Sequence, residues 1–159
     1  MIELELALRW LHVIGACVLL GTGAGIAFFM VMAWRTRDVA LIAHTAGIVV
    51  VADFLFTTLA VIVQPVTGWL LAQEVGWSLS EPWIMLSLVL YAVTGAFWLP
   101  VVFIQIRIRD LARTALIEGT ALPRQAHRLF AIWFACGFPA FFAVLAILWL
   151  MLARPDLTI

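Results

Sequence analysis

Formal charges interrupt this chain at only a few places, and the long stretches between them constrain its fold more than any other feature. A charged side chain at the centre of a lipid bilayer is costly, so a segment that crosses the membrane must lie between charges. Four stretches are each long enough to cross ~30 Å of hydrocarbon as an α-helix rising ~1.5 Å per residue. The predicted spans cover about residues 10–34, 43–73, 82–106 and 129–153.

Composition leads to the same fold class. Of the 159 residues, 66% are hydrophobic and 11% are charged, and the mean hydropathy is +1.16. That much apolar surface exceeds what one water-soluble core can hide, which excludes a soluble globular domain. Because the length suits a single compact unit, we predict one all-α domain over residues 1–159, a four-helix transmembrane bundle with the lipid bilayer as its solvent.

The charges, cysteines and motifs exclude several function classes. All nine basic residues are arginine and balance nine acidic residues, so no basic tract for nucleic acid is present. Cys17 and Cys136 stand apart in apolar surroundings and are interpreted as buried, inert thiols. The sequence contains no HExxH, nucleophile elbow or phosphate-binding loop, so hydrolase and nucleotide-driven chemistry have no basis. Whether the protein is an enzyme stays open.

Arginine placement predicts the orientation of the bundle. Connections that face the cytoplasm carry an excess of basic residues. Two arginines lie in the first connection, and five flank the third, namely Arg107, Arg109, Arg113, Arg124 and Arg128. The second connection carries Glu74 and Glu81 instead. We therefore expect the first and third connections in the cytoplasm and both termini on the outer side.

Polar residues of the third span recur at helical spacing. The steps of four, three, four and seven residues place them on one stripe, which comprises Ser87, Tyr91, Thr94, Trp98 and Gln105. Such a stripe predicts a polar seam inside the bundle. Two interpretations remain open, because these side chains either hydrogen-bond between helices or line a ligand.

The second span carries a carboxyl close to mid-membrane. Asp53 lies ~16 Å along the helix from the inner edge, where an ionised carboxylate is costly, so it should be protonated or well partnered. Thr57 and Gln64 share its face, whereas His44 points nearly the opposite way and belongs to another site. A structural hydrogen bond and a proton-handling role are both open for Asp53. Pro65 is the expected bend of this span.

The first span offers a candidate metal ligand. His12 lies one turn inside the span, on a side that continues through Gly15 and Thr22. Residues 21–25 are small, which predicts close packing against a neighbouring helix or passage of a flat cofactor ring. Imidazole is a natural ligand of haem iron, so His12 is either a ligand or a satisfied polar residue. His44 and His127 are interpreted as surface residues.

Several segments together carry a family resemblance: LRWLHVIGACVLLGTGAGIAFF, VVADFLF, QPVTGWLL, EPWIMLSLVLYAVTGAFWLPV, QIRIRDLA and HRLFAIWFACGFPAF. They resemble the bacterial domain-of-unknown-function family 2269 of predicted integral membrane proteins, over nearly the whole chain. The resemblance implies a bacterial inner-membrane protein, whose outward-facing termini would lie in the periplasm. It implies no particular activity.

A more distant similarity links the chain to the flavin-free, haem-b-containing protoporphyrinogen oxidase of bacterial membranes. The shared order is a Leu-His early in the first helix, a Pro-Trp opening the third and a His-Arg opening the fourth. The resemblance implies that His12 is a haem ligand and that the His-Arg pair corresponds to His127 and Arg128. The lysine that this enzyme has in its third helix falls near Ser87, and the present chain contains no lysine.

Two functions are therefore expected from the sequence. In the first, haem b is held through His12 beside Ser87, Tyr91 and Thr94, and exchanges electrons with quinone or a redox partner. Met85 lies at a suitable depth for the opposite axial position, although it is off the polar stripe, so a weakly held or five-coordinate haem is expected. In the alternative, the protein is a non-catalytic membrane subunit, or a conduit for an ion or small molecule lined by Asp53 and Gln64.

Overall fold

The computed structural model describes residues 2–157 and is almost entirely helical. Its helices are α1 (Ile2–Thr36), α2 (Val39–Ala52), α3 (Thr58–Val75), α4 (Pro82–Glu118) and α5 (Arg124–Ala153). A π-helical turn, Asp53–Thr57, joins α2 to α3, so that these three elements form one continuous second span. No strand occurs within residues 2–157, and the all-α prediction is confirmed. The single domain predicted over 1–159 includes Met1, Thr158 and Ile159, which lie outside the described residues.

Four helical segments are long and apolar enough to cross a membrane, as predicted: Glu3–Thr36, Val39–Val75, Pro82–Glu118 and Arg124–Ala153. They extend past the predicted limits because the helices continue beyond the hydrocarbon into polar surroundings, where charged residues are tolerated. Large apolar side chains point away from the bundle; Phe103, for example, is 70% exposed and Phe142 is 61% exposed. Such side chains suit a surface that contacts lipid.

Short connections join the helices into an antiparallel bundle. The Asp38 carboxylate caps α2 by accepting hydrogen bonds from the backbone N–H groups of Ala40 and Leu41, at 2.8 and 3.2 Å. Gly76 and Gly119 end α3 and α4 in the left-handed conformation, with φ of 81° and 64°, where other residues are strained. Connections 37–38 and 119–123 define the arginine-rich end of the bundle. Both chain termini and connection 76–81 lie at the other end, called the terminal end.

The second span changes neighbours along its length. Its α2 half packs against α1 and α4, and its α3 half packs against α1, while α4 and α5 pack together extensively. The main core lies in the half of the bundle nearer the arginine-rich end. We call this cluster the apolar plug; its buried members are Ile26, Met30, Ala46, Val49, Ile108 and Trp133. Met30 and Ile108 are 1% and 0% exposed, so both side chains are fully enclosed by the bundle.

Close helix packing occurs at glycines other than those in the 21–25 segment. A Cβ placed on Gly21, Gly23 or Gly25 would meet no atom within 4 Å, so the expectation of close packing there is wrong. Instead, a Cβ on Gly15 would lie 3.2 Å from Gln64 Nε2, and one on Gly68 would lie 3.1 Å from His12 Cε1. The small residues that bring helices together are therefore those that face a polar side chain of the opposite helix.

Candidate functional site

A buried carboxyl is the most unusual polar feature inside the bundle. Asp53 is 4% exposed and is the first residue of the π-helical turn in the second span. Trp98 donates its indole N–H to Asp53 Oδ1 at 3.2 Å, and Gln105 donates its amide N–H to Oδ2 at 3.3 Å. Both donors come from α4 and both are uncharged. No arginine or histidine forms an ion pair with Asp53 within residues 2–157.

Asp53 is positioned by the π-helical turn that begins with it. A π turn holds about one residue more than an α-helical turn, and such turns are frequent at functional sites. Its bond runs from the Thr58 backbone N–H to the Asp53 carbonyl, which the Thr58 hydroxyl also contacts at 3.2 Å. Asp53 and Thr57 both face the interior, while the residues between them face outward. The turn thus presents two polar side chains of the second span to the interior, about one turn apart along the helix.

Oxygen atoms with unused hydrogen-bonding capacity accompany this carboxyl. Thr57 Oγ1 and Gln105 Oε1 are buried and have no hydrogen-bond partner within residues 2–157, and the same holds for Gln64 Oε1. Trp133 Nε1 completes the set of such atoms found in the described part of the chain. Because buried polar atoms are nearly always satisfied in proteins, three unsatisfied oxygens inside one bundle indicate a place where protons or polar groups are accepted.

These residues of the second span lie on its buried face, where the buried Ala60 separates Thr57 from Gln64. Thr67 lies fourteen residues beyond Asp53, which is ~21 Å along a helix. Gln64, between them, donates its amide N–H to the His12 carbonyl of α1 at 3.0 Å. We call this set the polar column; its members are Asp53, Thr57, Gln64 and Thr67, with His12 from α1 and Gln105 from α4.

The polar column extends from Asp53 toward the terminal end of the bundle. On the terminal side it reaches His12, which is half-buried and lies one turn from the exposed Glu5–Arg9 ion pair. On the other side of Asp53 the apolar plug follows, including Ala46 and Val49 of the same helix face. Polar side chains therefore lie between the terminal end and Asp53, and mostly apolar side chains lie beyond it.

His12 has one ring nitrogen engaged and one free. Its Nδ1 lies 2.9 Å from Thr67 Oγ1, and the Thr67 hydroxyl in turn donates to the Val63 carbonyl at 2.8 Å. Because the Thr67 hydroxyl donates to a backbone carbonyl of its own helix, we assign His12 the tautomer in which Nδ1 donates to Thr67 and Nε2 keeps its lone pair. The ring rests against Gly68, where a Cβ would lie 3.1 Å from Cε1. This geometry leaves Nε2 able to accept a proton or a metal bond.

The third-span residues predicted to lie beside a haem have local hydrogen-bond partners. The Ser87 hydroxyl donates to the Trp83 carbonyl at 2.7 Å, and the Thr94 hydroxyl donates to the Leu90 carbonyl at 2.9 Å. Tyr91 donates its hydroxyl to the Val61 carbonyl of α3. Met85 is 53% exposed at the surface of the bundle. The contacts of His12 are with α3, so these four residues and His12 are not joined by any described hydrogen bond.

The other sequence candidates lie apart from the polar column. His44 and His127 are exposed, and His127 packs edge-on against the Trp34 ring with centroids 5.3 Å apart. Cys17 is exposed and Cys136 is half-buried, so the expectation of buried thiols is wrong for Cys17, which lies on an outward face of α1. Within residues 2–157 no group of three metal-ligating side chains comes together.

Sequence reasoning missed Thr67 and the direct partners of Asp53. Thr67 lies three residues beyond Gln64 and therefore on the same helix face, which was the available signal. Trp98 and Gln105 were assigned to a stripe, but nothing in their spacing shows that both reach Asp53.

Comparison with known proteins identifies a family. Residues 6–155 match the family described as Predicted integral membrane protein (DUF2269), and the chain belongs to it. It is thus an integral membrane protein that resides in a lipid bilayer. No curated protein and no solved structure matches the chain. The likeness to the haem-b oxidase gains no support from these comparisons and stays a prediction.

Proposed function

We propose that this membrane protein is a proton-handling component in which Asp53 takes up and releases a proton, rather than an enzyme with a catalytic centre. The observation that carries the proposal is the Asp53 carboxyl itself, 4% exposed in the middle of a membrane span and held only by uncharged donors. Intramembrane carboxyls without a cationic partner are costly and are characteristic of proton relays.

The surroundings of Asp53 suit both of its protonation states. The ionised form accepts hydrogen bonds from the Trp98 indole and the Gln105 amide. The protonated form needs an acceptor for its own O–H, and Thr57 Oγ1 and Gln105 Oε1 are buried oxygens with free capacity. A purely structural carboxylate would need only the donors. Two donors on the carboxyl, and buried oxygens with free capacity on residues beside it, support a group that changes its protonation state in place.

The polar column supports proton exchange with the terminal side. Gln64 Oε1 has a free lone pair in the part of the column near His12, and His12 Nε2 offers a proton acceptor at the terminal end of the column. On the opposite side, the apolar plug surrounds Met30 and Ile108 with apolar side chains, and Trp133 contributes its indole N–H as a buried polar group. Proton exchange between Asp53 and the terminal side, with mostly apolar side chains on the other side of Asp53, suits a proton-coupled component of a membrane assembly.

Infrared spectroscopy of the purified protein tests this proposal. Titrating the wild type should reveal a protonated-carboxyl band that disappears as the pH rises, at a frequency typical of a desolvated acid. Asp53→Asn should remove that band, because the amide keeps the shape of the side chain but does not titrate. Asp156→Asn, at an exposed carboxyl near the C-terminal end of α5, is the matched control and should retain the band. A titrating desolvated band that survives in Asp53→Asn would contradict the proposal.

We also propose that the protein lies in a bacterial inner membrane with its terminal end outward. Arginine lies in or beside the connections at one end, so the positive-inside rule assigns that end to the cytoplasm of a bacterial inner membrane. The terminal end, and with it the His12 end of the polar column, then faces the periplasm. Asp53 would exchange protons with the periplasmic side.

A second candidate function is haem b binding through His12, with electron exchange to quinone or a redox partner. One observation favours it: Nδ1 of His12 is fixed by Thr67, which is how protein histidines present Nε2 to a metal. The residues fit one axial bond only, since Met85 lies exposed and Ser87 bonds to its own helix. Haem would supply one-electron chemistry when bound.

An absorption spectrum separates the two functions. Protein expressed with ample haem should show a Soret band if His12 is an iron ligand, and His12→Ala should abolish or strongly shift it. His44→Ala and His127→Ala are matched controls at exposed histidines and should leave it unchanged. A colourless wild-type protein, or a band that persists in His12→Ala, would refute the haem function and leave proton handling at Asp53 untouched.

A further inference from the structure

A groove of about 620 Å³ lies on the outside of the bundle between α2 and α4. It runs from the arginine-rich end toward the middle of the membrane and takes no part in the polar column. Ten residues line it: Ala40, Ala43, His44, Gly47, Ile48, Val51, Ala52 and Phe56 from the second span, with Arg113 and Leu116 from α4.

The groove is polar at one end and apolar along the rest. The residues of the second span that line the groove recur every three to four positions, as residues on one face of a helix do. His44 and Arg113 lie nearer the arginine-rich end, and below them Ile48, Val51 and Phe56 offer only apolar surface. Phe56 follows Gly47 by nine residues, so the apolar portion is ~14 Å long.

Arg113 is held in the groove without an acidic partner. Its Nη2 would lie 3.2 Å from a Cβ on Gly47, so the glycine leaves the space in which the guanidinium rests. The ion pairs within residues 2–157 are Arg9–Glu5 and Arg109–Asp110, and neither involves Arg113. Arg113 therefore keeps its full charge and its N–H donors for a ligand. His44, exposed on the opposite wall, adds ring nitrogens at the same end.

We propose that this groove binds an anionic phospholipid. The headgroup phosphate would accept hydrogen bonds from Arg113 and His44, and one acyl chain would lie along Ile48, Val51 and Phe56. Charge complementarity selects the lipid class: basic pockets between helices at the cytoplasmic end of membrane proteins bind anionic headgroups, and an unpaired guanidinium suits phosphate. The polar-to-apolar order of the lining matches that of a lipid leaflet at this end.

Binding to lipids of defined composition tests the proposal. Detergent-solubilised protein is titrated with phosphatidylglycerol and, separately, with phosphatidylcholine carrying the same acyl chains, and the shift in melting temperature and the bound lipid in native mass spectra are measured. The wild type should bind phosphatidylglycerol more tightly. Arg113→Gln should weaken this binding about fivefold, since one basic residue near a lipid surface contributes ~1 kcal/mol. Arg124→Gln, an exposed arginine outside the groove, is the matched control and should bind as the wild type does.

A second variant keeps the charge of Arg113 and fills the space beside its guanidinium. Gly47→Val should displace the Arg113 guanidinium and weaken phosphatidylglycerol binding, whereas Gly21→Val, where nothing lies within 4 Å, should not. Inorganic phosphate alone should fail to reproduce the stabilisation, because the apolar groove contributes to binding. Equal binding of both lipids, unchanged affinity in Arg113→Gln, or full stabilisation by inorganic phosphate would each overturn the proposal.

Discussion

Tyr91 donates a hydrogen bond to a backbone carbonyl that Pro65 leaves without its helical donor. Proline has no backbone N–H, so Pro65 leaves the Val61 carbonyl, four residues earlier, without its helical donor. The Tyr91 hydroxyl of α4 donates to that carbonyl and links α4 to α3. A carbonyl unsatisfied in the membrane interior is costly, and a side chain from a neighbouring helix compensates here. Tyr91 is thus explained by packing, without a ligand.

A double-mutant cycle measures this compensation. Tyr91→Phe should lower the free energy of unfolding by about 1 kcal/mol, because it removes a hydrogen bond between spans. In a Pro65→Ala background, the new alanine supplies its own backbone N–H to the Val61 carbonyl, so adding Tyr91→Phe should cost much less. Unfolding in graded detergent, followed by circular dichroism, measures all four proteins. Equal costs of Tyr91→Phe in both backgrounds would contradict the assignment.

At the scale of single residues, the sequence predicts which side chains share a helix face, but not which side chains of another helix they contact. The spacing of Asp53, Thr57 and Gln64 predicts a shared face because helical periodicity determines direction around the axis. It does not determine the depth at which two helices meet. Whether Asp53 lies opposite Trp98, Thr94 or Gln105 depends on the register between spans, which only the packed bundle specifies.

At the scale of elements, the second span owes its shape to the π-helical turn. Pro65 was the expected bend and lies within α3, which continues to Val75; the departure from α geometry at Asp53–Thr57 was not expected. Proline is visible in a sequence, whereas a π turn has no residue signature and forms because packing on both sides favours one additional residue. This is why the sequence analysis missed the turn.

Deletions separate the role of the turn from that of the surrounding helix. Removing Leu55, which is 52% exposed, should convert the π turn to an α turn while α2 and α3 keep their faces, so the protein should fold. Its Asp53 infrared band should shift, because Thr57 then follows Asp53 by three residues instead of four. Removing Ile62, 59% exposed within α3, should turn the following residues by ~100° and strongly lower the melting temperature. Equal loss of stability in both deletions would refute this account of the turn.

At the scale of the whole molecule, the spans could be predicted because hydrocarbon excludes charge so strongly. The shared face of Asp53, Thr57 and Gln64 could also be predicted, but the apolar plug and the contacts of the polar column with α1 and α4 could not, since they arise where the second span passes from α4 toward α1. Hydropathy alone does not distinguish a lipid-facing apolar residue from a core one: Met30 is 1% exposed, and its neighbour Phe29 is 62% exposed.

The orientation of the bundle is open to a direct test. Because arginine concentrates at one end, an alkaline phosphatase fused after the C-terminus should be active in the periplasm. The same enzyme inserted in connection 119–123 should be inactive. A fluorescent protein that matures only in the cytoplasm should give the reverse pattern. If the C-terminal phosphatase fusion is inactive and the fluorescent fusion glows, the polar column extends toward the cytoplasm instead.

The central claim is that Asp53 is a carboxyl that carries a proton within the membrane, and labelling with dicyclohexylcarbodiimide tests it most directly. This apolar reagent reacts with protonated carboxyls in hydrocarbon, and mass spectrometry of the digested protein identifies the modified residue. We expect labelling at Asp53 that decreases as the pH rises and that is absent from Asp53→Asn. The water-exposed Asp156 should stay unlabelled under the same conditions. If Asp53 stays unlabelled at every pH, or if its labelling does not change with pH, the carboxyl is not a proton carrier and the proposed function is wrong.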